Sequence, residues 1–227
     1  HDWRVQESAT AEQFLGVMLK LSPLREIRLD FPHRPKLRYT WGEAALFDLL
    51  GSLDPNGYFC HYTALYLHGL TEQIPKTIYL NVEQKLRGGG TLSQQAIDRA
   101  FRNNCRTSKN FADYKGRRTY ILNGRNTGQL GVVPMETGEG NSPIRVTDIE
   151  RTLIDTTVRP VYSGGVHEVA KAFATACGRF SVNKLVAYLR KLDYTYPYHQ
   201  TIGYYLERAG GYRKAQIDLL RQLPMEY

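Results

Sequence analysis

Up to about residue 146 the chain mixes two hydrophobic periods; beyond it only the helical period remains. In residues 8–20, Phe14, Leu15, Met18 and Leu19 form one stripe, which predicts a helix capped by Ser8 or Thr10. In residues 24–39, Ile27, Leu29 and Phe31 alternate with Arg28 and Asp30, as in a strand. Pro32 and Pro35 break that run into two strands or an edge with an irregular link. Residues 41–53 predict an amphipathic helix that stops at the turn Asp54-Pro55-Asn56-Gly57. A short helix over 61–68 follows, ended by Gly69; His61, Tyr62, Thr63 and His68 either line a site or, with His61 and Thr63 as caps and Leu65 and Leu67 as core, serve the helix alone. Ile78, Leu80 and Val82 then define a strand over 77–82. The stretch 85–91, KLRGGGT, reads as a hairpin tip or mobile loop, because it lacks the spacing of a phosphate loop. Residues 92–104 predict a helix capped by Ser93. Residues 118–122 and 129–135 predict strands joined by a hairpin-type turn at Asn123-Gly124.

Residues 146–165, VTDIERTLIDTTVRPVYSGG, follow the rules of helix construction most closely. Thr147 and Glu150 have the T-x-x-E spacing of a capping box. Arg151 and Asp155 are four apart, neighbours on one helix face. Ile149, Leu153, Ile154 and Val158 form an apolar face, Pro160 ends the helix, and Gly164-Gly165 turns the chain onward. Helices are then predicted over 166–176, 181–192, 199–209 and 212–223, joined by tight turns as antiparallel neighbours. The class is therefore α+β: a mixed part with a small antiparallel sheet over 1–146, then a helical part over 147–227. The two parts can also be one continuous unit.

Composition narrows this only slightly. With 227 residues, 42% hydrophobic and 23% charged, the chain is an ordinary globular one. No apolar run is long enough to span a bilayer, so no membrane partner is expected. The polar start HDWRVQESAT shows no signal peptide, and without an initiator Met the chain reads as trimmed or partial. Cys60, Cys105 and Cys177 are odd in number and far apart, as expected of reduced thiols in a cytosolic protein.

The net charge of +8 changes the picture more, because it favours an anionic partner: nucleic acid or an acidic protein. Arg34, Lys36 and Arg38 alternate in the densest basic stretch and are expected to project from one side. They read either as a ribbon that meets phosphates or an acidic partner, or as a solvated edge strand. Gln95, Arg99, Arg102 and Arg106 recur at helical spacing, a second stripe that either follows a nucleic-acid backbone or is plain surface.

Motifs that would carry chemistry are few. There is no G-x-S-x-G and no paired Cys or His at zinc spacing. Side chains of the adjacent Cys60 and His61 diverge, and His61 and His68 lie two helical turns apart. No metal, cofactor or catalytic set is expected, and the chain reads as non-enzymatic.

Three segments carry a family resemblance. Residues 58–80, YFCHYTALYLHGLTEQIPKTIYL, resemble a pattern of S/H-x-[ST]-A-L-x-x-H-G-L followed by T-x-Q-x-P and a strand. Residues 123–133 (N-G-x-N-T-G-x-L-G-V-V) and the V-T-x-x-E-R-T-L-I-D, R-P-x-x-x-G-G run of 146–165 fit it too. Together they look like the AbiEi family of antitoxins from type IV toxin–antitoxin and phage-defence loci. The resemblance implies a cytoplasmic bacterial protein that binds promoter DNA through an N-terminal winged helix and counters a cognate nucleotidyltransferase toxin, with or without a stable complex. It makes Thr147, Glu150, Arg151, Asp155, Gly164 and Gly165 structural motif residues. Residues 1–40 fit the pattern poorly, and a full winged helix is not evident there. The alternatives are a nuclease-like defence enzyme acting on nucleic acid, or a protein-binding module that docks through its helical end.

Overall fold

The computed structural model describes residues 9–85, 105–138 and 142–224, with Gln95, Arg102 and Gly140 singly. The chain begins with α1 (Ala11–Leu21), where Thr10 accepts from the Gln13 amide and Gln13 reaches back to complete a capping box. Next comes an antiparallel hairpin of β1 (Leu24–Leu29) and β2 (Lys36–Trp41), paired from Leu24 with Trp41 to Leu29 with Lys36. α2 (Leu46–Gly51) starts later than the predicted residue 41, because Trp41 still belongs to β2 and Gly42, at φ +70°, turns the chain.

A six-stranded sheet follows, built from β3 (Tyr58–Phe59), β4 (Thr77–Glu83), β5 (Phe111–Tyr114), β6 (Arg117–Gly124), β7 (Val132–Met135) and β8 (Ile144–Thr147). Its order is β5-β6-β4-β3-β8-β7, with β4 parallel to β6, β3 parallel to β8, and the other pairs antiparallel. The α+β class and the antiparallel hairpin are as the pattern predicts; the larger sheet is mixed. The hairpin predicted at Asn123-Gly124 does not form. β6 pairs with β5 through the Lys115-Gly116 turn, and β7 lies at the far edge against β8. Gly124 is needed for a close approach instead: a Cβ there would sit 2.6 Å from the Asn81 amide oxygen.

α3 (His61–Leu67) sits between β3 and β4. The helical part is α4 (Ile149–Val158), α5 (Val166–Thr175), α6 (Val182–Leu192), α7 (Tyr198–Ala209) and α8 (Lys214–Arg221), close to the predicted spans. One core, including Ile78, Leu80 and Val146, lies on the sheet; another, including Leu153, Phe173 and Leu206, lies among the helices. Leu65 and Leu70 join the helical core, so it draws on both sides of residue 147. α4 is its centre, with eight of its ten residues buried although the segment is mostly polar. Its polar groups are paired: the Thr152 hydroxyl donates to Thr147 O at 3.0 Å and the Thr157 hydroxyl to Leu153 O at 2.8 Å.

Candidate functional site

Thr147, the last residue of β8, is not the cap of α4 as the spacing predicts. Asp148 is, its carboxylate accepting from the Arg151 amide at 2.8 Å. Glu150 does not turn back on its own helix. It accepts from the Ser181 amide at 3.0 Å and from Lys184 Nζ at 3.2 Å, so it secures the start of α6. The capping box is displaced because Thr147 is committed to strand pairing, its carbonyl 2.6 Å from His68 Nε2. The Arg151–Asp155 pair is present at 2.7 Å and is buried. Gly164 and Gly165 both take positive φ, +76° and +89°, in the turn to α5. Thr63 is likewise no cap: its hydroxyl accepts from the Tyr79 amide at 2.8 Å, which ties α3 to β4, and the N-cap position is Cys60.

The basic ribbon is divided. Arg34 lies exposed in the hairpin turn rather than in the strand. Lys36 and Arg38 share the inner face of β2, while Leu37, Tyr39 and Trp41 face outward. Lys36 Nζ donates to Leu53 O at 3.0 Å, and the Arg38 guanidinium donates to Ser52 O at 2.7 Å and Leu53 O at 2.9 Å. Both cations therefore serve the carbonyl end of α2, where the helix dipole favours positive charge. In the second stripe Arg102 is helical and exposed, Arg106 is exposed, and Arg99 lies outside the described residues, as does most of 85–104.

The structure brings other residues together. A cleft of about 1030 Å³ opens where the carboxyl ends of the parallel strands β4 and β6 meet α4, the place at which ligands bind in parallel sheets. Its floor is a polar relay. Arg151 donates to Asp155, to Leu130 O at 2.7 Å and to the Thr127 hydroxyl at 3.1 Å; Thr127 in turn donates to Glu83. Glu83 also accepts from the Thr127 amide at 2.9 Å, the Gln129 amide at 3.2 Å and the Tyr58 hydroxyl at 3.0 Å. Burial acts to raise the Glu83 pKa, but these donors outweigh it and hold the group below its usual value. Burial likewise acts to lower that of Arg151, and the Asp155 carboxylate holds it above the ordinary arginine range. The relay fixes the loop after β6 to the end of β4 and to α4.

His61 stands in the cleft wall with φ +52°, a left-handed conformation that a side-chain-bearing residue adopts at a cost. Its Nδ1 is buried without a hydrogen-bond partner among the described residues, and its ring packs 5.4 Å from that of Tyr162. Burial pushes its pKa down to about 4, against the attraction of Asp155. An unfolded chain takes up this proton near pH 6.5, whereas the folded protein resists to about 4, so stability present above 6.5 is lost as pH falls between those values. The full loss from this group is at most about 3 kcal/mol. Burial lowers His68 and His199 as well, in the same direction. Urea midpoints at pH 7.5 and 4.5 should fall further in the wild type than in His61→Asn, whose side chain tolerates the left-handed backbone; equal falls would refute the assignment.

Around the mouth stand Lys85, Arg106, Arg125 and Arg159. None forms an ion pair with a carboxylate among the described residues; Arg125 donates to Asp193 O at 3.3 Å and Arg159 to Arg106 O at 3.4 Å. Sequence reading did not find this site, because its cations come from separate elements with no common spacing. Two signals were available: the polar residues of 61–68, of which His61 lines the cleft, and the N-G-R-N-T-G run, whose turn residues hold Arg125. Among the described residues no group of three or more His, Cys, Asp and Glu could hold a metal ion, and no helix is long and apolar enough to cross a membrane. No protein-family model matches the chain, and no curated protein matches it.

Proposed function

We propose that this chain is an AbiEi-type antitoxin of a bacterial toxin–antitoxin or phage-defence locus, which counters a nucleotidyltransferase toxin and binds DNA through exposed basic residues. One observation carries the reading. The three segments that resemble the family, 58–80, 123–133 and 146–165, are far apart in sequence but form one packed unit. His68 meets Thr147 O at 2.6 Å, the Asp148 amide donates to Gly131 O at 2.7 Å, and Arg151 donates to Leu130 O at 2.7 Å. The three segments are therefore neighbouring parts of one scaffold, which supports reading them together. The reading implies a cytoplasmic protein without enzymatic turnover.

The test is co-expression in bacteria with the nucleotidyltransferase encoded beside the gene. Restored growth supports the proposal; continued toxicity with both proteins present overturns it. DNA binding is tested separately, by titrating promoter DNA at several salt concentrations. Log affinity should fall linearly with log salt, and Arg34→Ala, Arg102→Ala and Arg106→Ala should each reduce the slope by about one. A slope near zero would rule out a phosphate-led contact.

One observation favours a nucleic-acid-cleaving enzyme instead: His61, with its unpartnered Nδ1, lines a cleft that also holds Asp155. Turnover of DNA or RNA by the purified protein, abolished in a folded His61→Asn variant, would support that reading.

A further inference from the structure

We propose that the cleft between β4, β6 and α4 binds a nucleoside phosphate, with the phosphates between Arg125 and Arg159 and the base against the tyrosines of the wall. The inference goes beyond the antitoxin reading and does not rest on it.

Four observations carry it. The first is size: at about 1030 Å³ the cleft is at the upper end of small-ligand sites, ample for a nucleotide. The second is charge. Arg125 is aimed by the Asp193 carbonyl, and Arg159 by the Arg106 carbonyl and the Cys105 sulfur; no carboxylate pairs with either guanidinium among the described residues. Most of each fork's five N–H donors keep no described acceptor, the arrangement that grips a phosphate bidentately. Two carboxylates line the cleft: Asp155 is already neutralised by Arg151, and the exposed Asp193 is outnumbered by the four cations at the mouth, so the field stays positive. The third is the aromatic wall. Tyr162 and Tyr194 both line the cleft, and Tyr194 already carries the Arg125 guanidinium 5.9 Å from its ring centre; rings that stack a base are sequence-tolerant and add to phosphate contacts. The fourth is His61 Nδ1, a buried polar atom in the same wall that no described residue satisfies. Buried polar groups are nearly always bonded, so an orphan on a ring that lines the cleft points to an outside partner, reached when that ring turns towards the cleft. A base edge or a ribose hydroxyl supplies one.

The alternative for each cation taken alone is a solvated surface charge. Their convergence with two tyrosines and an orphan imidazole on one concavity is what a solvated surface does not explain.

The experiment is calorimetric titration of the full chain with ATP, GTP, adenosine, inorganic pyrophosphate and a short single-stranded RNA. A nucleoside triphosphate should bind, with adenosine and pyrophosphate each at least about tenfold weaker, because each lacks half of the contacts. Arg125→Ala and Arg159→Ala should each weaken nucleotide binding about tenfold or more, the loss of one charge-assisted contact. Both side chains are exposed, so the variants should keep the wild-type melting temperature, and a melting curve checks this. Absence of nucleotide binding at millimolar concentration overturns the proposal. So does binding of RNA without mononucleotide, pyrophosphate binding as tight as nucleotide, or unchanged affinity in both arginine variants.

Discussion

Arg151→Met should lower the unfolding free energy by about 3–5 kcal/mol, the usual cost of removing one partner from a buried ion pair. The side chain is 5% exposed, and its guanidinium carries bonds to Asp155, Thr127 and Leu130. Losing it leaves the Asp155 carboxylate charged and unpaired in the interior, and frees the loop that Thr127 and Glu83 fix to β4. The double change Arg151→Met with Asp155→Leu should recover part of the loss, since it removes the stranded charge as well. Urea unfolding of the three proteins measures this. A single variant within about 1 kcal/mol of wild type would show that the relay does not hold the sheet to α4.

The second large effect is expected at Gly131, where φ is +73° and an added Cβ would lie 2.8 Å from Arg151 Cβ, 2.9 Å from Tyr188 Cε2 and 3.1 Å from Asp148 Oδ1. None of these neighbours is free to give way. Arg151 belongs to a buried helix, and the Asp148 carboxylate is held by the Arg151 amide at 2.8 Å and the Tyr188 hydroxyl at 2.9 Å. Gly131→Ala should therefore cost about 2–4 kcal/mol, left-handed strain plus overpacking. Gly128→Ala is the control: its φ is +62°, but nothing lies within 4 Å of the added carbon. It should lose only the strain, about 1 kcal/mol. Equal losses at the two glycines, by urea midpoint, would remove the packing argument.

These two positions also mark what local reading captured. The ion pair of Arg151 and Asp155 was legible because both residues lie on one helix, four apart. That the pair is buried and serves Thr127 and Leu130 was not legible, since those partners are 20 or more positions away. Glu150 is a similar case. Its spacing from Thr147 fits a capping box, but the Ser181 amide and Lys184, 31 and 34 residues later, compete for the carboxylate and win. Lys36 and Arg38 were legible as cations on one face of a strand, while their role at the end of α2 depended on where that helix stops.

The helices after residue 147, the strands over 24–41 and 77–83, and the α+β class were determined by the sequence itself. They follow from periodicity, caps and turn residues, which act over a few positions and are written locally. Tertiary structure alone decided that β6 pairs with β4 and β5 rather than with β7, which polar groups of α4 find partners, and that Arg125, Arg159, His61, Tyr162 and Tyr194 face one cleft. The physical reason is that strand order and side-chain convergence are set by which apolar faces bury one another across long stretches of chain. That competition is settled among all the elements together, and no single segment records its outcome.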